Sequence, residues 1–409
     1  MRKLIFTMVL TLLLCNCADA ATKIGMDRLN WSQSLPEGAN VLGAPTGNPA
    51  VTVRTNGTAV IAIDHMNNII ASGTTGVGGD DYDVLQAAFD YLGPSYFTID
   101  LYGNIFYIDQ DLRLPAKVDL DGHGATLQVD WLNATSHDSM IRDDSASVEK
   151  WRSWRIRNLE LEGADKATVN YGINVSRVKY CNFENVYAGN FAKDGFLVRD
   201  DSWGNVFLNC YTNNNAENGL HFVAGANGAP NSCSILAGRY YADDDAGIFI
   251  EAGQDIRIIG TEIASSVRGI LTHANSTTID DCCLEALITG IDLGVAGTEV
   301  RTPSITNNNF YIVTDCIAFT NVLAGYTTIS GNMKDGVPVD TKRGAGTGTG
   351  SEQTVSLAGL EGTPISFSCW YSENGALDWP RAYYDRWWGT LNITATNTRS
   401  YAYAVEMGY

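Results

Sequence analysis

The sequence predicts an all-β chain whose middle is a parallel β-helix, and three observations carry that expectation. In a first column an apolar residue is followed two positions later by Asn, Gly, Asp or Ala: Leu120/Gly122, Ile156/Asn158, Phe183/Asn185, Phe207/Asn209, Ile235/Ala237, Ile258/Gly260, Ile279/Asp281, Ile305/Asn307 and Ile329/Gly331. Their intervals are 36, 27, 24, 28, 23, 21, 26 and 24 residues. A second column keeps the same beat: Gly172-Ile173, Gly195-Phe196, Gly219-Leu220, Gly247-Ile248, Gly269-Ile270, Gly290-Ile291 and Cys316-Ile317. Third, the apolar residues alternate inside each unit (Ile173 and Val175, Phe196 and Val198, Leu220 and Phe222), which is the period of a strand. One such unit cannot bury its apolar face alone. Parallel copies stacked ~4.8 Å apart share a continuous core. Asn and Gly suit the corners, where the chain bends and φ turns positive. Asn185, Asn209 and Asn307 are placed to ladder their amides.

From the N-terminus, Met1-Arg2-Lys3, an apolar run from Leu4 to Cys15 and Ala18-Asp19-Ala20 have the pattern of a secretory signal peptide over 1–20. The expected product is secreted and starts near Ala21. Cys15 and Cys17 lack the small preceding residues that lipid attachment prefers. No other run is long enough to span a bilayer, so the protein is not expected to be membrane-embedded. Residues 21–79 form an N-terminal extension with scattered Gly and Pro. In the body, 80–340, Asp81, Val84-Leu85, Ala88-Phe89 and Leu92 before Gly93-Pro94 predict one capped amphipathic helix. It precedes strands at Phe97-Ile99-Leu101 and Phe106-Ile108 and is placed to plug the open end of the solenoid.

The periodicity stops after Gly331. Residues 341–351, with Gly344, Gly346, Gly348 and Gly350, read as a linker. Residues 352–409 read as short antiparallel strands at 353–355, 364–367, 391–396 and 401–406. Trp370, Trp379, Trp387 and Trp388 cluster there, either stacking on sugar rings or filling a small core.

Gly79-Asp80-Asp81, Leu85-Gln86-Ala87-Ala88, Leu114-Pro115 and Leu120-Asp121-Gly122-His123-Gly124 resemble the entry motif of the pectate-lyase-like superfamily. The resemblance covers roughly residues 60–340. It implies a right-handed parallel β-helix with an N-terminal capping helix. The tail, with its Thr-Gly-x-Gly-x-x-Gln-Thr opening, resembles the small β-sandwich modules that end other β-helix and tail-fibre-like proteins. The superfamily includes lyases, hydrolases, epimerases and viral tail-spikes, so the resemblance speaks to fold more than to reaction. The Asn-Thr-Asp motif of polygalacturonases and the Arg-x-Pro-x-x-Arg pattern of pectate lyases have no counterpart here. His123 in its Gly-His-Gly turn is read as turn chemistry.

Composition narrows the partners. With 46 Asp+Glu against 27 Lys+Arg, the net charge of −19 argues against a nucleic-acid backbone. The same charge repels a polyanionic glycan unless a cation or an arginine offsets it. The seven cysteines beyond the signal segment are Cys181, Cys210, Cys233, Cys282, Cys283, Cys316 and Cys369. Odd in number and irregular in spacing, with no CxxC pair, they predict buried small hydrophobes with at most one or two bridges. Acceptor patterns for N-glycosylation stand at Asn30, Asn56, Asn133, Asn174, Asn275 and Asn392, at about the frequency an Asn- and Thr-rich chain gives by chance.

Stacking turns sequence columns into rows on the surface. Just before the second column lie Lys193-Asp194, Glu217-Asn218, Asp243-Asp244-Asp245 and Val267-Arg268, with His221 two positions beyond Gly219. Paired carboxylates, a histidine and a basic residue are what glycan cleavage requires. The expected catalytic set is Asp194, Glu217, His221, Asp244, Asp245 and Arg268, with Glu217 and Asp245 as acid and base and Arg268 stabilising charge. Asp243, Asp244 and Asp245 together would suit Ca²⁺, which takes several hard oxygen ligands. The bland reading is a solvated aspartate turn. A second row, Arg199-Asp200-Asp201, Glu251 and His273, is the weaker candidate. The leading expectation is a polysaccharide-active lyase or hydrolase. The alternatives are a non-catalytic carbohydrate-binding surface protein and a tail-spike-like protein. No coiled-coil signal supports an oligomer.

Overall fold

The computed structural model describes residues 51–335 apart from 56–57, 92–96, 104, 131, 133–136, 144–152, 165–168, 295–302 and 320–327. Beyond these it describes the backbone of strands Val337–Thr347, Glu352–Ser356, Thr363–Tyr371, Arg381–Asp385, Thr390–Thr394 and Ser400–Gly408. The signal segment expected over 1–20 lies outside the described residues, as do Trp379, Trp387, Trp388 and the side chain of Trp370.

The body is a parallel β-helix. From Val206 onward each rung runs through three short strands. In the rungs just before it single longer strands, Lys117–Val129, Ser153–Glu162 and Asn182–Gly189, take the place of two. Strands pair in parallel with their counterparts one rung on. One sheet has nine strands, from Leu112–Leu114 through Tyr171–Ser176, Asp194–Arg199, Asn218–Val223, Ala246–Ile250 and Arg268–Thr272 to Asp315–Phe319. Its register joins Ile173, Phe196, Leu220, Ile248, Ile270, Ile291 and Ile317, which are the second sequence column. The opposing register joins Phe183, Phe207, Ile235, Ile258, Ile279, Ile305 and Ile329, the first column. All of these are buried except Ile329, which packs partly exposed against the core.

The corner residues explain the first column. Asn158, Asn185, Asn209, Ala237, Gly260, Asp281, Asn307 and Gly331 all have φ between 50° and 70°, the left-handed region that Asn and Gly enter at least cost. The expected amide ladder forms from Asn209 Nδ2 to Asn185 Oδ1 (2.6 Å) and from Asn185 Nδ2 to Asn158 Oδ1 (3.1 Å). Asn307 does not extend it, because Ala237, Gly260 and Asp281 occupy the corners between; its amide donates instead to Asp280 Oδ1 at 3.0 Å.

The glycines of the second column have a different cause. A Cβ at Gly219 would stand 2.5 Å from the carbonyl oxygen of Gly247, and one at Gly269 would stand 2.5 Å from that of Gly290. Gly172, Gly195 and Gly290 meet the next rung in the same way. Here the rungs approach too closely for any side chain.

The helix Asp81–Tyr91 buries Val84, Leu85, Ala88 and Phe89 and closes the N-terminal end as expected. Asp80 accepts hydrogen bonds from Thr74 N (2.8 Å) and Oγ1 (2.9 Å), and the fully buried Asp81 accepts one from Tyr107 N (2.9 Å). These aspartates pin the helix to the first rungs.

Two expected boundaries move. Part of the 21–79 extension belongs to the cap: Val51–Thr55, Ala59–Asp64 and Ile69–Thr74 pair antiparallel, and Val51–Thr55 also pairs in parallel with Phe97–Tyr102. The 341–351 stretch is not a linker throughout. Val337–Thr347 is a strand paired antiparallel with Ser400–Gly408, from Asp340 opposite Met407 to Thr347 opposite Ser400. Alternating Thr and Gly gave a loop composition, yet backbone pairing needs no side chains. The tail is otherwise antiparallel, as expected.

Among the described residues no disulfide joins Cys181, Cys210, Cys233, Cys282, Cys283 and Cys316; all but Cys283 are buried. Burial pushes the Cys210 and Cys282 thiols up to about 12, as inert core residues. Asn174 is buried and donates to Asp138, which removes it as a glycan acceptor. No described helix is long and apolar enough to cross a membrane.

Candidate functional site

The row expected between 194 and 268 lies on the nine-stranded sheet and at the corner before it. In register, Asp194 leads to Asn218, Ala246 and Arg268 at the strand starts, and one position earlier Lys193, Glu217, Asp245 and Val267 stack at the corner. Arg268 Nη2 lies 3.5 Å from Asp245 Oδ1.

His221 is the centre of the polar contacts. Its Nδ1 lies 3.1 Å from Asp194 Oδ2, and its Nε2 lies 3.2 Å from Glu251 Oε2. The ring stacks on Phe249 at 4.7 Å between centroids and 13° between planes. Asp194 is buried, and its other oxygen accepts from Asn218 N (3.1 Å) and Nδ2 (2.8 Å). It therefore orients the imidazole from behind and is a positioning residue, while Glu251 stands on the solvent side. Across Phe249, His273 meets the ring edge-on at 5.2 Å. Glu251 and His273 came from the weaker row, and the structure joins them to His221. Arg199, Asp200 and Asp201 do not join. Asp200 binds Ser176 and the turn at Asn227, and Asp201 pairs with Lys179.

The two imidazoles are set apart electrically. Burial opposes charge on His221, but hydrogen bonds and charge from Asp194, with Glu251, outweigh it and raise its pKa above the ordinary 6.5. Burial, helped by the charge of Arg268 and opposed by Glu251, holds His273 below that value. One imidazole is therefore biased towards the protonated form and its neighbour towards the neutral one, the condition for an acid and a base in one site. Desolvation and the charge of Asp194 also push the Glu217 carboxyl up. Lys193 Nζ sits 5.7 Å from the centre of the Tyr171 ring.

The run Asp243-Asp244-Asp245 does not act as one calcium site. Ala242, at φ 54°, turns the chain so that Asp243 points inward, 1% exposed. There it accepts from Thr212 Oγ1 (2.8 Å), Asn215 Nδ2 (2.8 Å) and Asn215 N (3.1 Å). Asp244 stays outside and lines an open groove of about 490 Å³ with Ser265, Val267, Ile288 and Ile312, while Asp245 faces Arg268.

Burial raises the Asp243 carboxyl from 3.8 to about 7. A raised acid pKa means the folded state binds the extra proton between about pH 4 and 7, so stability falls as pH climbs through that window. Asp243→Asn is expected to flatten this dependence and to stabilise the protein at pH 8 by no more than about 4 kcal/mol. Urea unfolding of both proteins at pH 5 and pH 8 measures the difference.

Sequence reasoning missed Phe249 and the pairing of Glu251 and His273 with His221. The signal was present: His221 and Phe249 each lie two positions after a column glycine, and Glu251 and His273 each lie four after one.

No protein-family model matches the sequence, and no curated protein matches it. Solved structures do resemble it in shape. The A-module of mannuronan C-5 epimerase AlgE6 from Azotobacter vinelandii aligns at TM-score 0.35 and 15% identity, covering 62% of this chain and 95% of that one. The tailspike protein of Acinetobacter phage vB_ApiP_P1 aligns at 0.41 and 11%, covering 80% and 84%. The Streptococcus pneumoniae surface protein and adhesin PfbA aligns at 0.35 and 10%, covering 63% and 96%. At these scores none of them bears on chemistry.

Proposed function

We propose that this chain is an exported, polysaccharide-active β-helix protein that cleaves an acidic glycan by β-elimination at the His221 site. The observation that carries the reading is the pair of imidazoles held on either side of Phe249, one biased towards charge and one away from it. In elimination from a uronate, a base removes the proton at C5, the C4–O4 bond breaks and an acid protonates the departing O4. Protonated His221 is the acid, and neutral His273 is the base once its ring turns the Nε2 atom, buried in this structure, towards the substrate. Arg268 supplies the positive charge that stabilises the uronate carboxylate as its α-carbon loses the proton. Ca²⁺ held at Asp244 and Asp245 is the alternative source of that charge, and either would offset the net charge of −19.

The test incubates purified protein with a panel of polyuronates and neutral glycans, with and without Ca²⁺. An ultraviolet-absorbing unsaturated end reports elimination, whereas reducing ends alone report hydrolysis. The rate is expected to be bell-shaped, falling at lower pH as His273 protonates and at higher pH as His221 loses its proton. No turnover on any glycan contradicts the enzymatic reading.

A second reading, glycan binding without cleavage, is favoured by a separate feature. Tyr211 and Tyr241 stand exposed on neighbouring rungs of another face, and Arg239 lies 4.9 Å from the ring centre of Tyr241. Binding without turnover in the same panel would select it.

A further inference from the structure

The open groove of about 490 Å³ lies beside the polar row, and the reaction above leaves its aliphatic side unused. We propose that this groove is a subsite for an acetylated sugar, the neighbour in the same chain of the uronate that reacts at His221. The proposal deepens the reading above and rests on the acidic glycan proposed there.

The position of the groove follows from backbone register. At the corner before the nine-stranded sheet, Asp245 N donates to Glu217 O (2.8 Å), Arg268 N to Asp245 O (2.9 Å) and Ile288 N to Val267 O (3.1 Å). Glu217, Asp245, Val267 and Ile288 therefore stand in one row, each a rung beyond the last. His221 shares the rung of Glu217, so Val267 and Ile288 lie two and three rungs on, ~10 Å and ~14 Å along the axis. That is farther than one sugar ring extends, so the groove meets a neighbour of the reacting residue.

The chemistry changes along the row. Val267, Ile288 and Ile312 are 41%, 57% and 65% exposed and make an aliphatic wall. Ser265 and Asp244 stand exposed in the same groove. Its described lining holds no Lys or Arg, so nothing there neutralises a second uronate carboxylate, and Asp244 repels one. An acetyl group suits both parts of the lining. Its methyl covers the aliphatic wall, and its carbonyl oxygen accepts from the Ser265 hydroxyl. The volume falls within the roughly 300–1,000 Å³ of small-ligand sites.

Ile312 supplies an independent observation. Asn190, Asn214, Ala242, Ser265, Ala286 and Ile312 take the same corner on successive rungs, all at φ between 53° and 63°. A β-branched residue enters this left-handed region at greater cost than any of the others. At 65% exposure, Ile312 gains little from the core in return. The corner itself is better served by Asn, so the isoleucine answers to a contact made from outside the chain.

The test measures binding of the full protein, by calorimetry, to oligosaccharides in which a uronate alternates with an acetylated sugar. One carries O-acetyl and one N-acetyl groups, and each is matched to the chain with a plain hydroxyl at that carbon. At least one acetylated chain is expected to bind at least ~10-fold more tightly than its match, and which one does so tells ester from amide. I312N installs the residue that earlier rungs use, so it is expected to keep or raise the unfolding midpoint. The double variant I288N/I312N is expected to bring acetylated and matched chains to within ~3-fold of each other. Equal affinity for both chains in the parent overturns the proposal, as does a preference that survives I288N/I312N, or no binding of any chain. A parental dimer that the double variant dissolves would give the wall to a second copy and overturn it too. Acetyl-dependent binding without cleavage supports the subsite and overturns only catalysis at His221.

Discussion

Replacing His221 by Gln is expected to lower the rate of glycan cleavage by roughly 10²–10⁴-fold, the range one positioned acid or base contributes. The side chain is only 13% exposed, stacks on Phe249 and pairs with the buried Asp194, so its loss removes packing and the partner of a buried charge as well as chemistry. Circular dichroism of H221Q should stay close to that of the parent, while its unfolding midpoint is expected to fall. Asp194→Asn separates positioning from reaction, because Asp194 reaches the substrate only through His221. It is expected to slow turnover less and to move the high-pH limb of the rate profile downward, since the hydrogen bond and charge that raise the His221 pKa are weakened. If H221Q turns over at the parental rate with the same pH profile, His221 is not the acid.

The largest stability effect is expected at Phe207. Its ring stacks on Phe183 at 4.8 Å and meets Phe196 and Phe222 edge-on at 5.7 Å and 6.0 Å, so phenylalanines from two facing sheets on successive rungs form one aromatic cluster. Phe207 is 1% exposed. Phe207→Ala leaves a cavity that the rungs cannot close, because backbone ladders fix their spacing. The cost is about 3–5 kcal/mol. Phe207→Leu retains most of the volume and should cost less. Chemical denaturation of both variants checks the order, and equal losses would show that the ring contacts, and not the volume they fill, set the cost.

The solenoid was legible because its physics repeats. Gly219 and Gly269 mark places where one rung's carbonyl leaves no room for a Cβ on the next, and Asn185 and Asn209 mark corners at positive φ. Each constraint recurs on every rung and so leaves a column in the sequence. The site was less legible because it depends on events that occur once. Nothing local in Asp243-Asp244-Asp245 tells which carboxylate faces inward. The left-handed turn at Ala242 and the waiting donors of Thr212 and Asn215, about thirty residues earlier in the chain, decide it. Glu251 and His273 belonged to a separate row only while the columns were read at a single phase. Carrying the glycine register forward by two and four positions would have joined them to His221. The stretch 341–347 failed for the opposite reason, since its strand partner lies more than fifty residues later and its Gly/Thr composition resembles a loop.

The most direct measurement is a crystal structure of H221Q with an uncleaved acidic oligosaccharide. The expected result places a uronate over the substituted side chain, Phe249 and Glu251, with its carboxylate towards Arg268 and the scissile oxygen beside position 221. An oligosaccharide lying on the Tyr211 and Tyr241 face, with the His221 site empty, would contradict catalysis at that site.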